Sequence, residues 1–313
     1  MPNEDKVQIK QSTKYSTTMF LSIMLFAMSI VAFYYGYKFA KEPILAVLLF
    51  HEVVPNPEKP WETTEEHLEE IIDKLISNKY NFVDPEQFEG MLNFGFKGRN
   101  VMITFDDGLE KQIKAIKTLY EKYKIRSVVF LLEDKINKPE YMTMDTILDL
   151  AKNYKTFFGV HGRYHEKYTE QIANGRALGQ ITEETRLNLS KALGRTITWL
   201  SFPFGDYNRQ IIEEIKTRTA IKLAFTINSG NINVGDDHLQ LNRYMYQAND
   251  TETKIDEKIT CSLLPPQTQE NGRLLITISI LVFMFGMSRL LLALNIYRNL
   301  KEEWKKEGRQ GSL

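Results

Sequence analysis

Asp106 and Asp107 stand side by side before Gly108, and His161 and His165 stand four residues apart. Neighbouring side chains diverge, so adjacent carboxylates can serve two roles, one binding a cation while the other faces a substrate. So close a pair raises its own pKa unless a cation neutralises it. The bland alternative for Asp-Asp-Gly is a solvated turn or a helix N-cap. Histidines spaced by four point both imidazoles at one metal ion on a turn of helix or in a tight loop; two unrelated loop histidines are the alternative. Coincidence favours the first reading. Of the five histidines in the chain, two form this pair and a third, His51, ends another apolar run. His67, in a charged helical pattern, and His238, in a polar stretch, read as surface residues.

Each of these groups follows a run of strand length. Ile44 to Phe50 is continuously apolar, as a strand buried on both faces is, and Val101–Phe105, Ser127–Leu131, Thr156–Val160, Thr198–Phe202 and Leu223–Ile227 are further candidates. Helical patterns separate them. Thr63 with Glu66 makes a capping-box start before residues 67–76, and Leu109–Lys124, Thr182–Leu193 closed by Gly194, and Asn208 to about Thr219 are three more. Strands alternating with helices over about 230 residues predict one α/β barrel-like domain, whose reactive groups come from the C-terminal ends of its strands.

The chain has 313 residues, 40 Lys and Arg against 40 Asp and Glu, and one cysteine, Cys261. Zero formal charge argues against nucleic acid as a partner, and one cysteine excludes an internal disulfide framework or a thiolate metal cluster. Two segments are intensely apolar. Met19 to Phe39 carries no charge before Lys38, and its roughly 21 residues at ~1.5 Å each span ~31 Å, one bilayer core. Leu274 to Tyr297 is similar but holds Arg289, which can snorkel toward headgroups. Lys6, Lys10 and Lys14 precede the first, while Arg298, Lys301, Lys305, Lys306 and Arg309 follow the second; the positive-inside rule places both termini in the cytoplasm. The expectation is a tail (1–18), a transmembrane helix (19–39), an extracellular domain (42–272), a second transmembrane helix (274–297) and a tail (298–313). A cleaved signal peptide is the rival for the first segment. The second reads first as a plain anchor, with close approach of a partner helix at Gly286 as the alternative.

Thr104-Phe105-Asp106-Asp107-Gly108, followed by His161-Gly162-Arg163-Tyr164-His165, resembles the T-F-D-D-G and H-[S/T]-x-x-H motifs of NodB-like polysaccharide deacetylases, carbohydrate esterase family four. Leu48-Leu49-Phe50-His51 resembles the opening strand of the circularly permuted poly-N-acetylglucosamine de-N-acetylase branch. The resemblance covers roughly residues 44 to 250 and implies a distorted (β/α) barrel. It also implies roles: Asp107, His161 and His165 as ligands of a divalent metal, Zn²⁺ by donor type; Asp106 as general base; His51 as general acid toward the departing sugar amine; and the backbone N–H of Phe204, beside Pro203, as an oxyanion donor.

The departures are as specific as the matches. Gly162 replaces the hydroxyl residue of the histidine motif. Ser201-Phe202-Pro203-Phe204-Gly205 lacks the arginine that in many members pairs with the base; Arg243 could supply that charge from another strand, with a surface arginine as the alternative. No D-x-x-D-W motif is present, and Phe204, Trp199, Tyr164 and Tyr207 are the aromatic candidates for stacking on sugars, with a core position the favoured reading of Trp199. The expected function is membrane-anchored, metal-dependent removal of acetyl groups from N-acetylglucosamine in a wall or extracellular glycan. An O-acetyl esterase is one alternative, and a catalytically silent glycan-binding scaffold is another.

Overall fold

The computed structural model describes residues 43–261, together with residues 20, 23–25, 27–31, 280, 283–285, 288, 291, 294–295 and 298. The chain divides into two units, Pro43–Leu263 and Met1–Glu42 with Leu264–Leu313.

In the larger unit, β1 (Ile44–Phe50) is apolar at every position because both its faces are covered, and all of it is buried. It joins β4 (Tyr80–Phe82), β5 (Arg99–Phe105), β6 (Val128–Leu131), β7 (Phe157–Val160), β8 (Trp199–Ser201), β9 (Leu223–Phe225) and β10 (Tyr244–Met245) in one parallel sheet. The order is β10-β1-β5-β6-β7-β8-β9, with β4 paired to the start of β5. Parallel neighbours need crossovers, supplied by helices Glu65–Ser77, Ile113–Tyr123, Met144–Asn153, Leu178–Leu193 and Arg209–Arg218. The two ends of the sheet meet on one segment. Leu241 bridges Phe225 of β9, and Tyr244, three residues on, pairs with Leu48 of β1, so Arg243 stands where the barrel closes.

Alternation along the strands sorts the core into two layers. Leu45, Val47, Met102, Phe130, Trp199 and Phe225 form the inner cluster, capped by Phe88 of the Pro85–Phe94 helix; Ala46, Leu48, Ile103, Val129 and Leu200 pack outward under the crossover helices.

Local signals place the helices with small shifts. Thr64, not Thr63, is the N-cap, its hydroxyl accepting from His67 N at 3.0 Å. A 3-10 turn at Glu110–Gln112 precedes the helix that begins at Ile113 rather than Leu109. The helix expected at Thr182 starts at Leu178, and Gly194, left-handed at φ 63°, ends it as expected. The Glu252–Cys261 helix packs its Ile255 and Ile259 into the core. His67 is not a free surface residue: Nε2 lies 2.9 Å from the Asp250 carbonyl and Nδ1 3.0 Å from Glu70.

The expected transmembrane spans lie mostly outside the described residues, among which no helix is long and apolar enough to cross a membrane. The described residues within those spans are helical, and Phe20, Met24, Met28, Val31, Met284, Leu291 and Leu294 expose apolar side chains.

Candidate active site

β5 ends at Phe105 and hands Asp106 to the barrel mouth, where the carboxylate is buried. Its partner is Arg243, wholly buried: Nη1 donates to Oδ1 and Nη2 to Oδ2, both at 2.8 Å. This is the two-pronged fork of a guanidinium on a carboxylate. Ser201 Oγ donates to Asp106 Oδ2 at 2.9 Å and accepts from Arg243 Nη2 at 2.7 Å, while Arg243 Nε donates to the Thr226 carbonyl at 2.9 Å. Burial alone would raise the Asp106 carboxyl, but the Arg243 guanidinium and the nearby His161 outweigh it and hold the group well below the usual carboxylate range. The surface alternative for Arg243 is thereby excluded. The cation demanded by two adjacent acids is, for Asp106, a guanidinium from the closing segment.

Asp107 turns the other way because its backbone is left-handed, at φ 75°. Gly108 follows at φ 72°, where a side chain would be strained and its Cβ would stand 2.7 Å from Leu131 Cδ2, so the turn favours glycine. Asp107 Oδ1 lies 3.4 Å from His161 Nε2 and 3.5 Å from His165 Nε2. It is buried and has no hydrogen-bond partner. His161 Nδ1 is 2.9 Å from the Ser201 carbonyl and must donate to it, which leaves the Nε2 lone pair aimed at Asp107. With both rings neutral and their Nε2 lone pairs free, one carboxylate oxygen and two imidazole nitrogens converge within 4.8 Å of one another, the donor set of a divalent cation site. His165 is held by Phe204, whose ring stacks on it at 4.3 Å and 14°.

The missing hydroxyl of the histidine motif has a backbone cause. Gly162 sits at φ 99°, and a Cβ there would stand 3.3 Å from Pro203 Cγ, Tyr168 Oη and the Tyr164 carbonyl. Phe204 occupies the tip of the Pro203–Gly205 turn, also left-handed at φ 58°, with its ring half exposed. His51, directly after β1, faces the same mouth; burial pushes its pKa down, outweighing Asp106 and Asp107, and its Nδ1 has no partner.

These groups floor an open groove of about 630 Å³, also lined by Trp61, Tyr141, Phe204 and Ile227. Of the stacking candidates, Phe204 alone lines it. Trp199 is in the core, Tyr207 stacks on Phe202 at 5.2 Å, and Tyr164 lies under Arg176. Trp61 went unrecognised in the sequence, as did its support. β2 (Glu52–Val53) and β3 (Glu62–Thr63) form a two-stranded sheet carrying the loop that ends in Trp61. Glu52 accepts from Trp61 Nε1 at 3.0 Å, Lys59 Nζ at 3.0 Å and Lys111 Nζ at 2.8 Å. The only sequence cue is that Glu52 follows His51.

Burial would raise the Glu52 carboxyl, but these three donors pull it down to about 2. A depressed folded pKa stabilises fully above the unfolded value near 4.5 and is lost as pH falls toward 2. Glu52→Gln therefore lowers stability by ~2 kcal/mol at neutral pH and flattens the acid limb between about pH 4.5 and 2, as urea titrations across that window would show.

Comparison with known proteins agrees with this geometry. Residues 95–220 match the family model described as polysaccharide deacetylase. YxkH of Bacillus subtilis (strain 168), named as a polysaccharide deacetylase, is 22% identical over 205 residues, covering 62% of this chain and 68% of that protein. Among solved structures, IcaB from Ammonifex degensii superposes with a TM-score of 0.64 at 19% identity, over 70% of this chain and 98% of that one. Streptococcus pyogenes deacetylase PplD in complex with acetate gives 0.61 at 17% identity over 69% and 98%. The de-N-acetylase from Aggregatibacter actinomycetemcomitans gives 0.60 at 16% identity over 68% and 99%. These structures share the fold. The chain carries a domain of the polysaccharide deacetylase family, hydrolases counted among the carbohydrate esterases.

Proposed function

We propose that the domain removes N-acetyl groups from N-acetylglucosamine residues of a wall or extracellular glycan, outside a membrane in which the chain is anchored by residues 19–39 and 274–297. The observation that carries the chemistry is the orphaned, buried Asp107 Oδ1 between two imidazole Nε2 atoms, beside an Asp106 kept anionic by Arg243. A relative of the same fold named as a de-N-acetylase supports the choice of an amide over an ester.

Asp107, His161 and His165 would hold the divalent cation, and their one-oxygen, two-nitrogen set suits Zn²⁺. When bound, such a cation supplies Lewis acidity at the acetamide carbonyl and the attacking water. Asp106, anionic throughout the physiological range, accepts the proton of that water. His51, made a weak base by burial, is correspondingly a strong acid once protonated and gives its proton to the departing sugar amine. The Phe204 turn, packed on His165, brings a backbone N–H to the mouth for the developing oxyanion.

Calorimetric titration of the full-length protein with Zn²⁺ tests the ligand set: one ion per wild-type chain, and none in His161→Ala with His165→Ala. A folded wild-type protein that takes up no divalent metal contradicts it. Trp61, 42% exposed at the groove rim, offers its ring to a sugar face. Trp61→Ala raises KM for an N-acetylglucosamine oligomer roughly tenfold, for a stacking contribution of ~1.4 kcal/mol, with kcat little changed; an unaltered KM removes Trp61 from the binding surface.

A further inference from the structure

We infer that the face of the domain where the strands begin is a lipid-docking surface that holds the catalytic mouth away from the bilayer; this rests on the anchored reading proposed above. Both ends of the domain leave from that face. At the entry, Ile44 N donates to the Gly98 carbonyl at 2.8 Å, next to the start of β5. At the exit, Ile259 near the end of the Glu252–Cys261 helix accepts from Asn231 Nδ2 at 2.8 Å, and Ile232 N donates to the carbonyl of Leu45, the second residue of β1.

The entry tether is short. By sequence alone, four steps of chain separate residue 39 from residue 43, a length of at most ~14 Å at ~3.5 Å each. The exit tether, twelve residues from 262 to 273, is long enough to impose nothing.

The same face is apolar where a soluble surface would not be. Phe94 is 91% exposed, the most exposed large apolar residue described, and Val234 is 56% exposed. They are neighbours: a Cβ on Gly95 would lie 3.9 Å from Val234 Cγ2. Ile76, 47% exposed, ends the Glu65–Ser77 helix just before β4 on this face. Outside the groove, the other exposed large apolar side chains of residues 43–261 are Leu148 and Leu187, each alone on a crossover helix. Exposed Lys79 and Lys97 flank the apolar group, as cations flank an interfacial anchor in anionic lipid. His51, beyond the far end of the seven-residue β1, then stands roughly 20 Å farther from the lipid at ~3.3 Å per residue. The groove opens toward a glycan outside rather than toward the headgroups.

Spin labels on the full-length chain in vesicles of phosphatidylcholine with phosphatidylglycerol test this. Cys261→Ser removes the native thiol, and Phe94→Cys, Val234→Cys and Leu187→Cys each add one label site on an exposed side chain, so the core is untouched. Labels at 94 and 234 are expected to collide more with oxygen than with a water-soluble nickel chelate, as interfacial groups do, and the label at 187 the reverse. Vesicle flotation separates the two claims. A chain that floats while its labels at 94 and 234 behave like that at 187 overturns the docking face alone; a chain that does not float overturns the anchoring and the docking face together.

Discussion

Asp106→Asn lowers turnover about 10²- to 10⁴-fold, the usual cost of removing a general base, and leaves Zn²⁺ bound. The separation is possible because Asp106 and Asp107 point in different directions. Asp106 is engaged by Arg243 and Ser201, whereas Asp107 faces the two histidines. An amide at position 106 can still accept from Arg243 but cannot accept a proton from water. Metal titration and acetate release on one preparation check the claim. Loss of zinc together with activity would mean that Asp106 belongs to the ligand set.

Arg243→Met is the larger structural insult. It strands a buried carboxylate whose two oxygens now receive from the guanidinium, and breaking one side of a buried pair costs ~3–5 kcal/mol. Met keeps the unbranched stem as far as the Nε position and removes the charged fork beyond it, which stands over Phe130 with the guanidinium carbon 5.6 Å from the ring. Asp106→Asn alone leaves the arginine's charge unneutralised in turn, although the amide oxygen still accepts from it. The double variant, Asp106→Asn with Arg243→Met, leaves neither charge unpaired and should be more stable than the sum of the single losses requires, with a coupling of ~2–3 kcal/mol. Urea unfolding of the four proteins measures it. Additive losses would show that the pair is not coupled in solution.

Much of this site was legible from short-range spacing. Asp106, Asp107, His161, His165 and His51 each follow an apolar run, and a parallel barrel gathers the ends of such runs at one mouth. The long strands, β1 above all, were legible because burial on both faces leaves no polar residue to interrupt them. Arg243 was legible only as one of two open readings, since it stands 137 residues from Asp106 and meets it because the barrel closes on the Leu241–Met245 segment. β10 is two residues long and carries no periodicity. Trp61 and Glu52 were invisible for a related reason: a loop residue acquires its partner from a two-residue strand pair with no pattern of its own. Gly162 read as a lost hydroxyl, whereas its φ of 99° is a backbone requirement. The membrane segments rest on hydropathy and flanking charge, and reporter fusions at both termini should find each in the cytoplasm; an extracellular C-terminus would refute the paired spans.

Acetate released from N-acetylglucosamine oligomers and purified cell walls by the full-length protein is the most direct test, run with zinc, with a chelator, and with Asp106→Asn. The account predicts release that the chelator stops, that zinc restores, and that the substitution reduces to near background. A folded, zinc-loaded protein that frees no acetate from any N-acetylated glycan, or frees it only from O-acetylated ones, would contradict it.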